Sequence, residues 1–182
     1  IYYLNLIYYY LSTLFYHQKS LELANQLADT MEIAASLSAL GTVSYFLDEE
    51  EKSLQYAEEG LRLYKKIDKK SAIIQQSINF AWIYNRYDKP KDAIKILEQA
   101  LTIAENENEK SAQATVKHLI AESYGETGEY DKAINYYNNS ILISQELGDE
   151  NMAAYSMRDM GYSILFNKQK KIDEAINKGS RI

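Results

Sequence analysis

Residues 111–150 read SAQATVKHLIAESYGETGEYDKAINYYNNSILISQELGDE, and this stretch decides the fold. Its first half sets Ala114, Ile120, Ala121 and Tyr124 at helical spacing, and Gly125 and Gly128 are expected to break that helix. Its second half sets Tyr130, Ala133, Ile134, Tyr137, Ile141 and Leu142 three and four residues apart, up to a stop at Gly148. Two short amphipathic helices cannot bury their own apolar faces, so such a unit needs stacked neighbours.

The neighbours are found by sliding the sequence forty residues along itself. Gly41, Ala81, Ala121 and Gly161 then coincide, as do Thr13, Ser53, Ala93 and Ala133, and Ser20, Gly60, Ala100 and Ser140. Two apolar columns accompany them, Leu14, Leu54, Ile94, Ile134 and Leu21, Leu61, Leu101, Ile141. Small residues in fixed columns let helices cross closely, while the apolar columns fill the grooves beside the crossing. Pro90 falls at the start of a second helix, where its missing N–H costs nothing. Ser71 and Ser111 stand where an N-cap is expected. The reading is an all-α solenoid of antiparallel helix pairs.

These residues resemble the tetratricopeptide repeat. Its apolar–small pair with an aromatic three residues on, followed by Ala-x3-aromatic, is matched by Ile120-Ala121-x2-Tyr124 and Ala133-x3-Tyr137. Phe80-Ala81-x2-Tyr84 with Ala93-x3-Leu97 fits too; Leu37-x2-Leu40-Gly41 with Ser53-x3-Ala57 fits more weakly, Ser44 replacing the aromatic. Leu37, Ser77 and Lys117 stand where the family has a leading Trp. The forty-residue period is similar to the longer-helix variety of motor light chains, polarity scaffolds and bacterial peptide-sensing regulators. The resemblance spans about residues 31–178 and implies a right-handed superhelix. A single array over 1–182 is expected, with a partial or capping unit at 1–30, full repeats at 31–70, 71–110 and 111–150, and an atypical last repeat at 151–182. In that last repeat the second helix is expected late, near Ala175, after a longer loop carrying Lys168, Lys170 and Lys171.

Composition narrows the function. The 182 residues hold no cysteine, two distant histidines (His17 and His118), one proline and seven glycines, with a net charge of −6. Disulfides, cysteine-based metal sites and thiol nucleophiles are thereby excluded. Phosphate-binding glycine loops and hydrolase signatures are missing as well. No cofactor, metal site or catalytic residue is expected. Carboxylates are many, but the sequence places none in an apolar setting that would raise its pKa. Asn138-Asn139-Ser140 matches a glycosylation sequon, but Ser140 belongs to a packing column. Six of the 17 tyrosines lie within the first sixteen residues, and Ile1–Leu11 is almost wholly apolar, yet too short to span a membrane. A chain whose first Met is Met31 reads as an excised segment. Net acidity argues against nucleic acid, and a cytoplasmic location is expected.

The resemblance also implies which residues face inward on the first helices. They are Ser38, Thr42 and Tyr45; then Gln75, Asn79, Trp82, Asn85 and Arg86; then Thr115, His118, Glu122 and Glu126; and lastly Tyr155, Arg158, Tyr162 and Phe166. The candidate ligand-binding set is Gln75, Asn79, Trp82, Asn85, Arg86, His118, Glu122, Tyr155, Arg158 and Tyr162. Asn and Gln match a peptide backbone's donors and acceptors, aromatic rings offer apolar area with a polar edge, and arginines pair with carboxylates. Plainer roles stand beside these: Trp82 packing between repeats, and His118 pairing locally with Glu122 four residues on. The family's clamp for acidic peptide tails is matched only by Asn79 and Arg158, with no inward Lys, which disfavours that ligand.

Charge runs have local explanations. Asp48-Glu49-Glu50-Glu51 opens a helix and Lys65-Lys66 closes it, each favoured by the helix dipole. The expected function is a non-catalytic module that binds a protein or peptide in its concave groove. A second reading is the peptide-sensing domain of a bacterial signalling or transcription regulator, consistent with sixteen Lys to four Arg and abundant Ile, Asn and Tyr. A third is an assembly scaffold, or homo-oligomer, formed through the aromatic Ile1–Tyr16 end.

Overall fold

The computed structural model describes the backbone of residues 2–179 and the side chains of residues 9–174 and 176. Among them are eight helices and no strand. The chain divides into two compact units, Ile1–Asp88 and Lys89–Ile182. The first holds α1 (Tyr2–Leu27), α2 (Thr30–Phe46), α3 (Glu50–Lys66) and α4 (Lys70–Arg86). The second holds α5 (Pro90–Asn106), α6 (Lys110–Glu126), α7 (Tyr130–Leu147) and α8 (Glu150–Gly179).

Regularity comes from the turns. Helices α2 to α6 are each 17 residues long. A left-handed residue recurs every twenty positions: Ala28, Asp48, Asp68, Asp88, Asn108, Gly128 and Gly148. Asp and Asn tolerate this conformation better than most side chains, and glycine adopts it freely. The forty-residue repeat is therefore two copies of a twenty-residue helix-and-turn step. Gly148 ends α7 at φ 71°, as its position suggested. Gly125, by contrast, lies inside α6, and the break belongs to Gly128 at φ 72°.

Pro90 opens α5 as expected. The serines do not cap: the N-cap positions fall on Lys69 and Glu109, and Ser71 and Ser111 are the second residues of their helices. The turn itself satisfies the early donors, since the Lys70 and Lys110 N–H groups donate to the carbonyls of Asp68 and Asn108 at 3.1 and 3.0 Å. A side-chain cap does occur before α2, where Asp29 accepts from the N–H groups of Met31 and Glu32.

In Ile1–Asp88 the small columns mark close helix crossings. A Cβ on Gly41 would stand 3.0 Å from the Ala57 Cβ, and one on Gly60 would stand 2.7 Å from the Ser38 hydroxyl. Ser53 replaces the column's alanine and donates to the Gly41 carbonyl at 2.9 Å. Ala34, Leu40, Ile73, Ile74, Phe80 and Ala81 fill the core. In Lys89–Ile182 the core is built from Ala93, Leu97, Ala100, Val116, Ile120, Ala121 and Ala133.

The C-terminal end corrects the sequence reading. Residues 151–179 hold no loop and no second helix, because α8 runs unbroken for 30 residues. The stretch after Gly161 contains neither proline nor a left-handed residue, so nothing interrupts it. Lys168, Lys170 and Lys171 thus lie on a helix, with Lys170 donating to the Gly128 carbonyl at 3.1 Å. At the other end α1 is a single helix of 26 residues. The side chains of Tyr2, Tyr3 and Tyr8 fall outside the described residues. Of the others, Tyr10 stacks on Phe46 at 5.0 Å and 8°, whereas Tyr9, Phe15 and Tyr16 are exposed.

Candidate functional site

Each unit presents its own surface. In Ile1–Asp88, α4 carries Gln75, Asn79, Trp82 and Arg86 at intervals of four, three and four residues, and so along one face. Gln75 donates to Asn79 at 3.3 Å, which holds two amide side chains side by side. Trp82 is 61% exposed, so the packing role is excluded and the indole faces solvent. Arg86 is already engaged: its guanidinium lies 5.6 Å above the Tyr45 ring and 3.8 Å from the Asp48 carboxylate. Asn85 is half-buried beside this cluster.

In Lys89–Ile182, α6, α7 and α8 enclose an open cavity of about 560 Å³, within the range usual for ligand sites. Its polar walls are Glu122 and Glu126 from α6 and Arg158 and Asp159 from α8. Tyr130 and Tyr137 from α7 and Tyr162 and Phe166 from α8 supply the aromatic ones. The stretch 113–152 carries a net −5, so acidity concentrates here.

His118 stands behind this cavity and ties the three helices together. Its Nδ1 is 3.0 Å from the Ser156 hydroxyl, and Ser156 is 3.0 Å from Ser140. Ser140 in turn donates to the Ala114 carbonyl at 2.8 Å. Each serine has one hydroxyl proton. With the Ser140 proton on Ala114, Ser156 must donate to Ser140, and the Ser156 oxygen is left to accept from His118. Neutral His118 therefore carries its proton on Nδ1. Its Nε2 lone pair faces the Asp159 carboxylate at 3.6 Å. Burial pushes the His118 pKa down, Asp159 opposing and Arg158 reinforcing that shift. The local His118–Glu122 pair suggested by their spacing is thus replaced by contacts to α8.

Two further groups are perturbed. Glu122 lies at the cavity mouth with part of its surface in water. The surrounding protein nevertheless pushes its carboxyl above the usual range, and the nearby Asp159 and Glu126 add to the shift against Arg158. This corrects the sequence expectation that no carboxylate sits where its pKa would rise. The charges responsible include one on α8, 37 residues away in sequence. Tyr137 is only 3% exposed, and burial drives its phenol well above the ordinary range. The Tyr137 ring meets His118 edge-on at 5.3 Å. Its hydroxyl makes no hydrogen bond among the described residues.

The sequence-predicted residues thus fall into two groups. Gln75, Asn79, Trp82, Asn85 and Arg86 share α4; Glu122, Arg158 and Tyr162 line the cavity, with His118 behind it. Tyr155 is exposed on α8, its ring 5.4 Å beneath the Arg158 guanidinium. Sequence reasoning missed Asp159, Ser156 and Tyr130, and treated Tyr137 as packing alone. Only the adjacency of Asp159 to Arg158 offered a signal.

Helix pairs with small residues at their crossings define a helical-repeat solenoid. Residues 114–147 match the tetratricopeptide repeat family. It is similar to response regulator aspartate phosphatase A of Bacillus subtilis (strain 168), 24% identical over 172 residues. That match covers 93% of this chain and 44% of the relative, so the chain spans less than half the relative's length. A kinesin light chain of Podosopora anserina with TPR-like repeats shares the fold at TM-score 0.76 and 12% identity, over 94% of this chain and 85% of that one. A Rap protein complexed with competence and sporulation factor shares it at TM-score 0.68 and 20% identity, over 92% and 46%.

Proposed function

We propose that the chain is a protein- and peptide-binding module without catalysis of its own, and that the α6–α8 cavity is where it receives a partner. One observation carries this reading: an open cavity is walled by aromatic rings and carboxylates, and the Tyr137 phenol on its wall makes no hydrogen bond among the described residues. A hydroxyl so placed is available to a ligand's donor or acceptor. The exposed α4 face with Gln75, Asn79 and Trp82 is a second, separate contact surface. The relative solved with competence and sporulation factor supports a ligand-binding role for this kind of array.

One form of this function is a regulatory domain that senses a peptide, a reading in keeping with the shared fold of the Rap protein complexed with competence and sporulation factor. In this reading the perturbed groups Glu122, His118 and Tyr137 shape binding, and none acts as a nucleophile or general base. Screening random peptides against the chain tests the module. Selected peptides weakened about tenfold by Glu122→Ala or Tyr162→Ala support the cavity; binders indifferent to both and to Trp82→Ala overturn it. Phosphate release from a phosphorylated receiver domain, followed with and without the chain, is expected to be unchanged. Acceleration by the chain alone would refute the non-catalytic reading.

A further inference from the structure

We propose that the α6–α8 cavity is a subsite for a peptide-borne cation: a lysine ammonium, an arginine guanidinium or a free N-terminal amine. The inference rests on the peptide-binding reading above and adds the ligand chemistry to it. Three carboxylates, Glu122, Glu126 and Asp159, line the cavity against one guanidinium, Arg158. Arg158 is held to Asp159 by two hydrogen bonds, 2.7 and 3.1 Å long. That pairing neutralises Asp159 and leaves Glu122 and Glu126 without a cationic partner among the described residues. Glu122 and Glu126 stand within one cavity wall, and a carboxyl raised by the surrounding protein and by neighbouring negative charge is one that an incoming cation stabilises.

The rest of the cavity suits the same guest. The Tyr137 side chain is 3% exposed and lines the cavity, and its oxygen, which has no partner among the described residues, accepts a hydrogen bond from an N–H donor. Aromatic faces attract cations, and this unit already uses them so, with the Lys170 ammonium 6.0 Å from the Tyr130 ring centre. An anionic guest would meet two carboxylates that nothing neutralises. A purely apolar guest would bury those carboxylates without a counter-charge, which is costly. A bare metal ion is a poor match, because among the described residues no three His, Asp or Glu side chains converge to hold one.

The test is calorimetric titration of the whole chain with four peptides. Ac-Gly-Gly-Arg-Gly-Gly-NH2 and its Lys counterpart present a side-chain cation, and unacetylated Gly-Gly-Gln-Gly-Gly-NH2 presents an amine. The acetylated Gln peptide is the neutral control. At least one cationic peptide is expected to bind about tenfold more tightly than the control, and the tightest identifies the source of the charge. Glu122→Gln and Tyr137→Phe should each reduce that preference to about threefold or less. Tyr137→Phe removes only an oxygen without a partner, so an unchanged melting temperature confirms that the loss belongs to binding. Equal binding of all four peptides overturns the subsite, as does a preference that survives both substitutions. A chain that binds none of the four but still captures library peptides lacking Lys and Arg overturns the subsite and leaves the module standing. Capture of nothing from either set overturns both.

Discussion

At forty-residue spacing, α4 and α6 offer equivalent positions to opposite chemistry. Ile78, Trp82 and Arg86 on α4 correspond to His118, Glu122 and Glu126 on α6. The first helix presents an exposed indole and a guanidinium already stacked on Tyr45. Its counterpart presents two carboxylates and a buried imidazole held by a chain of hydroxyls. The packing column between them barely changes, for Ala81 and Ala121 are both fully buried. Function in such a fold is written on positions that leave the core untouched, so two units with one architecture can serve different contacts.

The sharpest way to break the comparison is through the column itself. A Cβ on Gly41 would meet the Ala57 Cβ and backbone atoms of α3 at 3.0 to 3.2 Å. Gly41→Leu should therefore cost about 3 kcal/mol through overpacking. A denaturant midpoint close to wild type would show the crossing to be softer than its geometry. Next in size is Ser156→Ala, which strands the buried His118 Nδ1–H. A loss of about 2 kcal/mol is expected from one unsatisfied buried donor, whereas retained stability would show the hydroxyl chain to be dispensable.

Acidification probes the same imidazole. His118 has a folded pKa below its unfolded value, so the unfolded chain takes up a proton that the folded one refuses. The associated stability is present above about pH 6.5 and is lost as pH falls from there through the folded value. Glu122 works in the opposite sense. Its raised pKa makes ionisation unfavourable to folding above the unfolded carboxyl value, and falling pH relieves that cost. Thermal melts at pH 7.5 and 5.5 should show a larger drop for wild type than for His118→Gln. Equal drops would mean that His118 is not the titrating group. The smallest effect is at Gly161, in the same column as Gly41. A Cβ there meets nothing within 4 Å, so Gly161→Ala should stabilise α8 by about 0.5 to 1 kcal/mol through helix propensity. One column would then give opposite signs at its two ends.

The repeat was legible because packing between adjacent helices imposes local, periodic constraints. The columns recur at forty residues, and the Pro90 start and the Gly148 stop follow from spacing within a single helix. The unbroken α8 was not legible, since the small residue of the column persists at Gly161 although nothing packs on it. Nor was the cavity. Glu122 and His118 were singled out from their helix face, but the Asp159 charge and the Ser156 hydroxyl that reach them come from α8. Spacing on one helix cannot report a partner nearly forty residues away. Tyr137 shows the same limit: its ring does occupy a packing position, while its hydroxyl opens a second role that periodicity does not encode.

The left-handed residues at every twentieth position have a consequence for how such a chain can change length. Each step reverses the direction of the helix, so an inserted or deleted twenty residues would turn every later helix end for end. Forty residues restore the direction and leave each junction as it was. Growth and loss are therefore quantised in helix pairs, and a single added residue in a turn disturbs the rhythm more than a whole duplicated repeat.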